Sequence, residues 1–442
     1  MTYHSRNKPV SLKHHWMPFT ANRDFKTSPR MISGASGLYY RTPDGEQILD
    51  MTAGLWCSTL GHGRPEIAAA VAEQFSQYDF APSFNFGHTI SFELADRLQT
   101  ITPDGIDRFL FTGSGSESVD TALKIAYAYH HARGQSGRKR LIGRMRAYHG
   151  MGFGGLSVSG LTPNRTAFGS WLPSDHMRDT HDLSRNAFTR GLPEHGEEFA
   201  DELERLLKFQ DPSTVAAVIV EPIAGAGGVL LPPKGYLKRL REICDAHDVL
   251  LIFDEVITGF GRTGSAFAAQ EFSVTPDIMT MAKGLTAATV PMGAVGCTKA
   301  IYDAVVDASA GGVEMFHGYT YSAHPLGCAA ALACLDIYES EGIFTRAAGP
   351  AGSALEEALH SMADLPGVID IRNYGLVGAI EFQSGDKPGA VGTALMKQCW
   401  AEGLMVRQIV DAIAVSPPLV VEDMHIAEFQ DKFRRAAEKA LA

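Results

Sequence analysis

Short, uninterrupted apolar runs dominate the middle of the chain, at residues 141–143, 215–220, 249–253, 278–281 and 293–296. Runs of this kind, without polar alternation, predict strands buried on both faces, as in a parallel sheet. Residues 108–112 predict a further strand, which runs into Gly113-Ser114-Gly115-Ser116-Glu117, and residues 119–131 predict the helix after it. Residues 236–247 read as a helix between two of the runs, so the middle of the chain alternates strand and helix. Upstream, residues 65–78 space their apolar positions about 3.6 apart and start on proline, a favoured first helical residue. Residues 37–50 read as strand, turn and strand around Pro43-Asp44-Gly45. Beyond about residue 325 the order changes to helices (326–339, 348–362) followed by short strands near 368–372 and 376–382. This pattern predicts an α/β protein with a large domain over residues 66–325 built on a mostly parallel sheet. A smaller α+β domain would come from both chain ends, residues 1–65 and 326–442.

Composition narrows the function classes. The 442 residues are 45% hydrophobic and 20% charged, an ordinary globular balance. A formal net charge of −11 argues against a nucleic-acid or anionic-membrane surface, which needs a basic face. No apolar stretch approaches the roughly 18 residues of a spanning helix. Residues 1–13 are polar and lack the apolar core of a secretory signal. Six cysteines (Cys57, Cys244, Cys297, Cys328, Cys334, Cys399) show no CxxC spacing and read as reduced core thiols. The expectation is a soluble cytoplasmic protein. His14-His15 and His130-His131 are poor metal pairs, because adjacent residues on a helix face different ways; no metal is expected.

The candidate chemistry sits at the predicted carboxyl ends of strands, where open α/β sheets bind ligands. Ser114, Gly115 and Ser116 stand between a strand and a helix. A glycine there lets backbone approach an anion, and the helix N-terminus offers unpaired N–H groups and a favourable dipole. The turn lacks the lysine of a Walker loop and the spacing of a dinucleotide fingerprint. Glu221 and Asp254 each end an apolar run, and Lys283 follows a third. A buried lysine is a nucleophile and proton shuttle; a buried carboxylate can keep a pyridine nitrogen protonated. Amine, carboxylate and phosphate turn together suit pyridoxal 5′-phosphate. Each residue alone has a plainer reading, as a helix cap, a core side chain or a surface charge.

With these residues quoted, the sequence resembles the class III aminotransferases of fold type I. The resemblance is carried by Gly113-Ser114-Gly115-Ser116-Glu117, Tyr148-His149-Gly150, Glu221-Pro222-Ile223, Asp254-Glu255-Val256-Ile257-Thr258-Gly259-Phe260-Gly261-Arg262, Ala282-Lys283-Gly284 and His317-Gly318-Tyr319-Thr320. It covers nearly the whole chain from Gly37. Trp16-Met17-Pro18-Phe19, Gly54-Leu55-Trp56-Cys57, and Arg407 followed by Ala414-Val415-Ser416-Pro417-Pro418, are similar to the ω-amino acid:pyruvate subgroup, the β-alanine enzymes in particular.

The resemblance implies roles position by position. Lys283 would carry the cofactor as a Schiff base, with Asp254 pairing its ring nitrogen. Tyr148 and Val256 would flank the ring, and His149 would sit behind it as a hydrogen-bonding neighbour. Ser114, Gly115 and Ser116 would hold the phosphate, with Thr320 completing the cup from a neighbouring subunit. Glu221 would help order cofactor and lysine. Trp56 and Phe86 (or Phe84 in its place) would line the substrate pocket beside Tyr148, and Arg407 would take the substrate carboxylate. The implied activity is ping-pong transfer from an ω-amino acid or primary amine to pyruvate, giving alanine. A polyamine or taurine donor, and an aminomutase on the same scaffold, remain alternatives. The family implies S-selectivity and a homodimer or homotetramer with shared sites. Two departures stand out: Ile257 occupies a position where many members have a glutamine that reaches the ring hydroxyl, and the phosphate turn reads Thr-Gly-Ser-Gly-Ser-Glu-Ser.

Overall fold

A computed structural model describes residues 4–5 and 8–442. Its centre is a seven-stranded sheet of β1 (Ile106–Thr112), β2 (Arg140–Arg144), β3 (Ser174–Met177), β4 (Val215–Val220), β5 (Leu250–Asp254), β6 (Ile278–Met281) and β7 (Gly293–Thr298). Across the sheet the order is β1-β7-β6-β5-β4-β2-β3. β4, β5 and β6 are buried along their whole length, which is why they read as continuous apolar runs.

β7 differs from the expectation of a parallel strand. It runs antiparallel to both neighbours, β6 and β1. The connection from β6 holds only the 3₁₀ turn Lys283–Thr286 and no crossover helix, so the chain returns in the opposite sense. The other six strands share one direction. The helix after β1 also begins earlier than its apolar spacing predicts, at Gly115–Ala132. Ser114 is its N-cap, accepting from the Glu117 N–H at 3.3 Å, while Glu117 Oε2 accepts from the Gly113 N–H at 2.6 Å. This reciprocal capping draws the polar turn into the first helical turn.

The two chain ends meet through backbone pairing. Gln47–Asp50 lies parallel to Leu404–Met405 in a four-stranded sheet with Tyr39–Arg41 and Gly34–Ser36. A second four-stranded sheet pairs Val368–Tyr374, Val377–Phe382, Ala412–Val415 and Arg407–Ile409 antiparallel. Its first hairpin turns at Gly375, whose φ of 55° suits a residue without Cβ. The predicted helix over 348–362 is Pro350–His360, because Gly349 ends a 3₁₀ turn and Pro350 opens the helix. Helices Pro65–Gln77, Thr89–Ile101 and Pro325–Ser340 pack together, so the apolar core is continuous across the predicted boundary near residue 325. Separate apolar clusters cover the two faces of the large sheet. No helix among the described residues is long and apolar enough to cross a membrane.

Candidate active site

Five strands of one direction deliver side chains to one edge of the sheet. β1 leads to Ser114, Gly115 and Ser116; β2 to Tyr148 and His149; β4 to Glu221; β5 to Asp254 and Val256; β6 to Lys283. All of these line a single cavity of about 170 Å³, together with Val119, Gly150, Ile257 and Ala282. Residues up to 169 positions apart in sequence thus converge because the strand order places their carboxyl ends side by side.

One wall is an anion cradle. The N–H groups of Gly115 and Ser116 have no acceptor among the described residues, as expected for the first turn of a helix. A Cβ on Gly115 would stand 3.0 Å from Val256 Cγ1, so glycine keeps this approach open. Ser116 Oγ accepts from the Met151 N–H at 3.2 Å, and a Cβ on Gly150 would fall 2.5 Å from that oxygen.

The opposite end is acidic. Asp254 is buried, and its Oδ2 accepts from His149 Nδ1 at 2.8 Å. Its Oδ1 accepts from Thr280 Oγ1 at 3.0 Å and the Val256 N–H at 3.2 Å. His149 is itself fully enclosed, and its Nε2 has no partner among the described residues. With its other nitrogen unpaired, the ring meets the carboxylate through Nδ1 as donor. Thr280 was not singled out from the sequence. Its signal is that it is the one hydroxyl in Ile278-Met279-Thr280-Met281, in register with Asp254 across β5 and β6.

Glu221 is held by backbone: Oε1 accepts from the Tyr148 N–H at 2.9 Å and Oε2 from the Gly225 N–H at 3.1 Å. Burial pushes its carboxyl pKa up, while the nearby His149 pulls the other way. Lys283 adopts a φ of 46°, a strained value for a non-glycine residue of the kind that collects at functional sites. Burial lowers its amine pKa; Cys57, Asp254 and Glu221 oppose that shift, and Arg407 adds to it. A lysine so placed is neutral, and hence nucleophilic, more readily than one on the surface. Burial raises the Tyr148 phenol, with Asp254 adding to the shift.

The remaining expected residues divide. Neither Trp56 nor Arg407 lines the cavity itself. Trp56 is buried in an apolar cluster with Ile223 and Val229, against which the cavity-lining Ile257 packs. Arg407 is exposed in the single chain but close enough for charge interaction with Tyr148 and Lys283. Phe86 and Thr320 do not reach the cavity of their own chain. Phe86 is 72% exposed and Thr320 lies on the surface. Their two loops pack on each other instead: Ser83 Oγ donates to the Ser322 carbonyl at 2.7 Å, and Phe84 stacks so close to Gly318 that a Cβ there would meet its ring at 2.8 Å. Ile257, where the resembling family commonly has glutamine, presents only carbon to the cavity and itself offers no hydrogen bond there. A larger cleft of about 840 Å³, bordered by Phe92, Phe109, Tyr302 and Met315, contains none of these groups. Among the described residues one cluster of His and carboxylate atoms, His181, Asp370 and Glu381, is tight enough for a metal. Arg372 already donates to both of its carboxylates.

A family model described as class-III aminotransferase matches residues 20–437. The chain is 56% identical over 424 residues to an omega-aminotransferase of Caulobacter vibrioides, covering 95% of this chain and 96% of that one. It is 45% identical over 413 residues to a beta-alanine–pyruvate aminotransferase of Pseudomonas aeruginosa, covering 92% of each. Among solved structures, an omega transaminase from Pseudomonas jessenii in complex with PMP superposes with a TM-score of 0.91 at 32% identity, over 97% of both chains.

Proposed function

Because the chain belongs to the class III aminotransferases, which work with pyridoxal 5′-phosphate, we propose that it is an ω-transaminase moving an amino group from an ω-amino acid or primary amine to pyruvate. The observation that carries this reading is the meeting of the Lys283 amine, the Asp254 carboxylate and the free N–H groups of Gly115 and Ser116 in one cavity. The donor set fits the cofactor: an amine for its aldehyde, a buried anion for its ring nitrogen, and a helix N-terminus for its phosphate.

Bound there, pyridoxal phosphate supplies a reactive carbonyl carbon and a ring that accepts electrons. The protein's own groups do the rest. Lys283 would hold the cofactor at rest and, once displaced by the donor amine, take the proton from the amine-bearing carbon through Nζ. Asp254, oriented by His149 and Thr280, would keep a proton on the ring nitrogen. Gly115 and Ser116, with Ser114 capping their helix, would anchor the phosphate, and Tyr148 and Val256 would fix the ring plane between them. Glu221 would keep the Tyr148 backbone and the 221–225 loop in place. Arg407 is suited to the carboxylate of pyruvate, which a guanidinium binds bidentately. Trp56 backs the apolar side that a donor's chain would occupy.

In a homodimer or homotetramer, the partner's Thr320 and the partner's Phe86 would complete the phosphate cup and the pocket. The exposure of these residues in the single chain supports that arrangement. Six unpaired cysteines support a cytoplasmic, reducing setting.

A spectroscopic half-reaction tests the proposal. The yellow holoenzyme mixed with alanine alone should lose its imine absorbance and release one equivalent of pyruvate. Lys283→Ala should lack both the absorbance and turnover. Retained absorbance with alanine, together with isomerised rather than deaminated donor, would replace this reading with an aminomutase. A panel of β-alanine, longer ω-amino acids, putrescine and taurine ranks the donors.

A further inference from the structure

Asp50 is fully buried at the end of the strand Gln47–Asp50, and its side chain enters no contact described above. Its carboxylate is saturated. Oδ1 accepts from the Thr52 N–H and the Thr52 hydroxyl, both at 2.9 Å. Oδ2 accepts from the Gly54 N–H at 2.7 Å and from His62 Nε2 at 2.9 Å. Two of these donors are backbone groups of the turn that carries Trp56.

That turn does not hold itself. Ala53, Gly54 and Trp56 have φ values of 45°, 66° and 65°. Ala53 and Trp56 are side-chain-bearing residues in a region that favours glycine, and such conformations persist only where surroundings over-determine them. The Thr52 hydroxyl also lies 2.9 Å from the Gly54 carbonyl, so its one proton is shared between that oxygen and Asp50 Oδ1. A Cβ on Gly54 would meet the Tyr40 hydroxyl tightly, at 3.1 Å, besides straining its φ of 66°.

The turn's product is the placement of two side chains. Trp56 is set beside Gly225 and Ile257: a Cβ on Gly225 would stand 2.7 Å from Ile257 Cδ1 and 3.3 Å from the indole. Ile257 in turn faces the cavity. Cys57 is brought within charge-interaction range of Lys283. Asp50 is also paired with Met405, two residues before Arg407. The segments that carry Trp56, behind Ile257, and Arg407 therefore both leave one strand pair, with Asp50 at its end.

We propose that Asp50 is a positioning residue for substrate specificity. Its carboxylate locks the strained turn and so fixes the indole wall that decides how bulky an amine the pocket admits. This rests on the transaminase reading above.

The test uses holoenzymes with pyruvate as acceptor and compares kcat/KM for 1-phenylethylamine with that for β-alanine. Asp50→Asn keeps one acceptor oxygen and places an NH₂ against an N–H donor, so the turn loosens. The expected result is a rise of roughly fivefold or more in the ratio of bulky to compact donor, in keeping with the sensitivity of apolar pockets to small volume changes. In a Trp56→Gly background the same substitution should leave the ratio unmoved, since Asp50 acts through the indole. A merely structural role lowers both donors together, and an unchanged ratio overturns the proposal. An equal shift in the Trp56→Gly background overturns it too. If Asp50→Asn does not fold, Thr52→Val removes the one hydroxyl proton shared between the carboxylate and the Gly54 carbonyl. It should move the ratio in the same direction, about twofold, and no movement counts against the proposal. Wild-type enzyme that transaminates neither donor would sink the underlying function instead.

Discussion

Replacing His149 with leucine isolates the support given to Asp254. The substitution fills most of the space of the enclosed ring but removes the Nδ1 donor held 2.8 Å from Oδ2. Asp254 keeps two donors, Thr280 Oγ1 and the Val256 N–H, but both serve Oδ1. Oδ2 is left in a buried site facing only the cavity. A hydrogen bond to a charged group contributes about 1.5–3 kcal/mol, and each ~1.4 kcal/mol is tenfold. The carboxylate should therefore hold a cationic ring about 10- to 150-fold less tightly. Titration of the apo-enzyme with pyridoxal phosphate, followed by absorbance of the imine, reads this as the dissociation constant. His149→Asn, which can still donate toward the carboxylate, should recover part of the loss. An affinity within twofold of wild type, in a variant whose circular dichroism is unchanged, would refute the idea that His149 supports the charge of Asp254. The two groups would then be neighbours without a functional tie.

Two further outcomes follow from the same geometry. Burial holds the Lys283 amine below its ordinary 10.5, so just below that pH the unfolded chain retains a proton that the folded chain has shed. More protons on the unfolded state mean that apo-enzyme stability climbs with pH across that window; Lys283→Met should flatten the climb in thermal unfolding curves, and an identical slope would show that the amine is not buried at a cost. Arg407→Ala should lower kcat/KM for pyruvate by about 10- to 150-fold, the loss of one charge-assisted pair, while an aryl-alkyl amine changes little; equal losses would make Arg407 structural.

Much of the large domain was legible because its signals are local. Val215–Val220 and Ile278–Met281 match their apolar runs residue for residue, since strands buried on both faces have no alternation to blur their ends. The helix start at Gly115 was missed because capping by Ser114 and Glu117 is polar, while the periodic signal is apolar and begins only at Val119. The sense of β7 was hidden for another reason: burial on both faces marks a strand as central but carries no direction. Only the absence of a crossover helix after Lys283 distinguishes the two senses.

The site shows the same division. Amino acid order alone identified which chemistry was present, an amine, two carboxylates and a glycine-bearing turn, because each follows an apolar run that can only be a buried strand. It could not show which side chains meet. His149 and Asp254 are 105 positions apart, and Asp50 governs a turn whose strain is invisible without its dihedral angles. Likewise Phe86 looks like a pocket residue in one dimension, yet in three it lies on the surface of its own chain. Strand-end chemistry is written in local patterning, whereas contact across the sheet depends on strand order and on the turns between, and those are settled only when the whole chain packs.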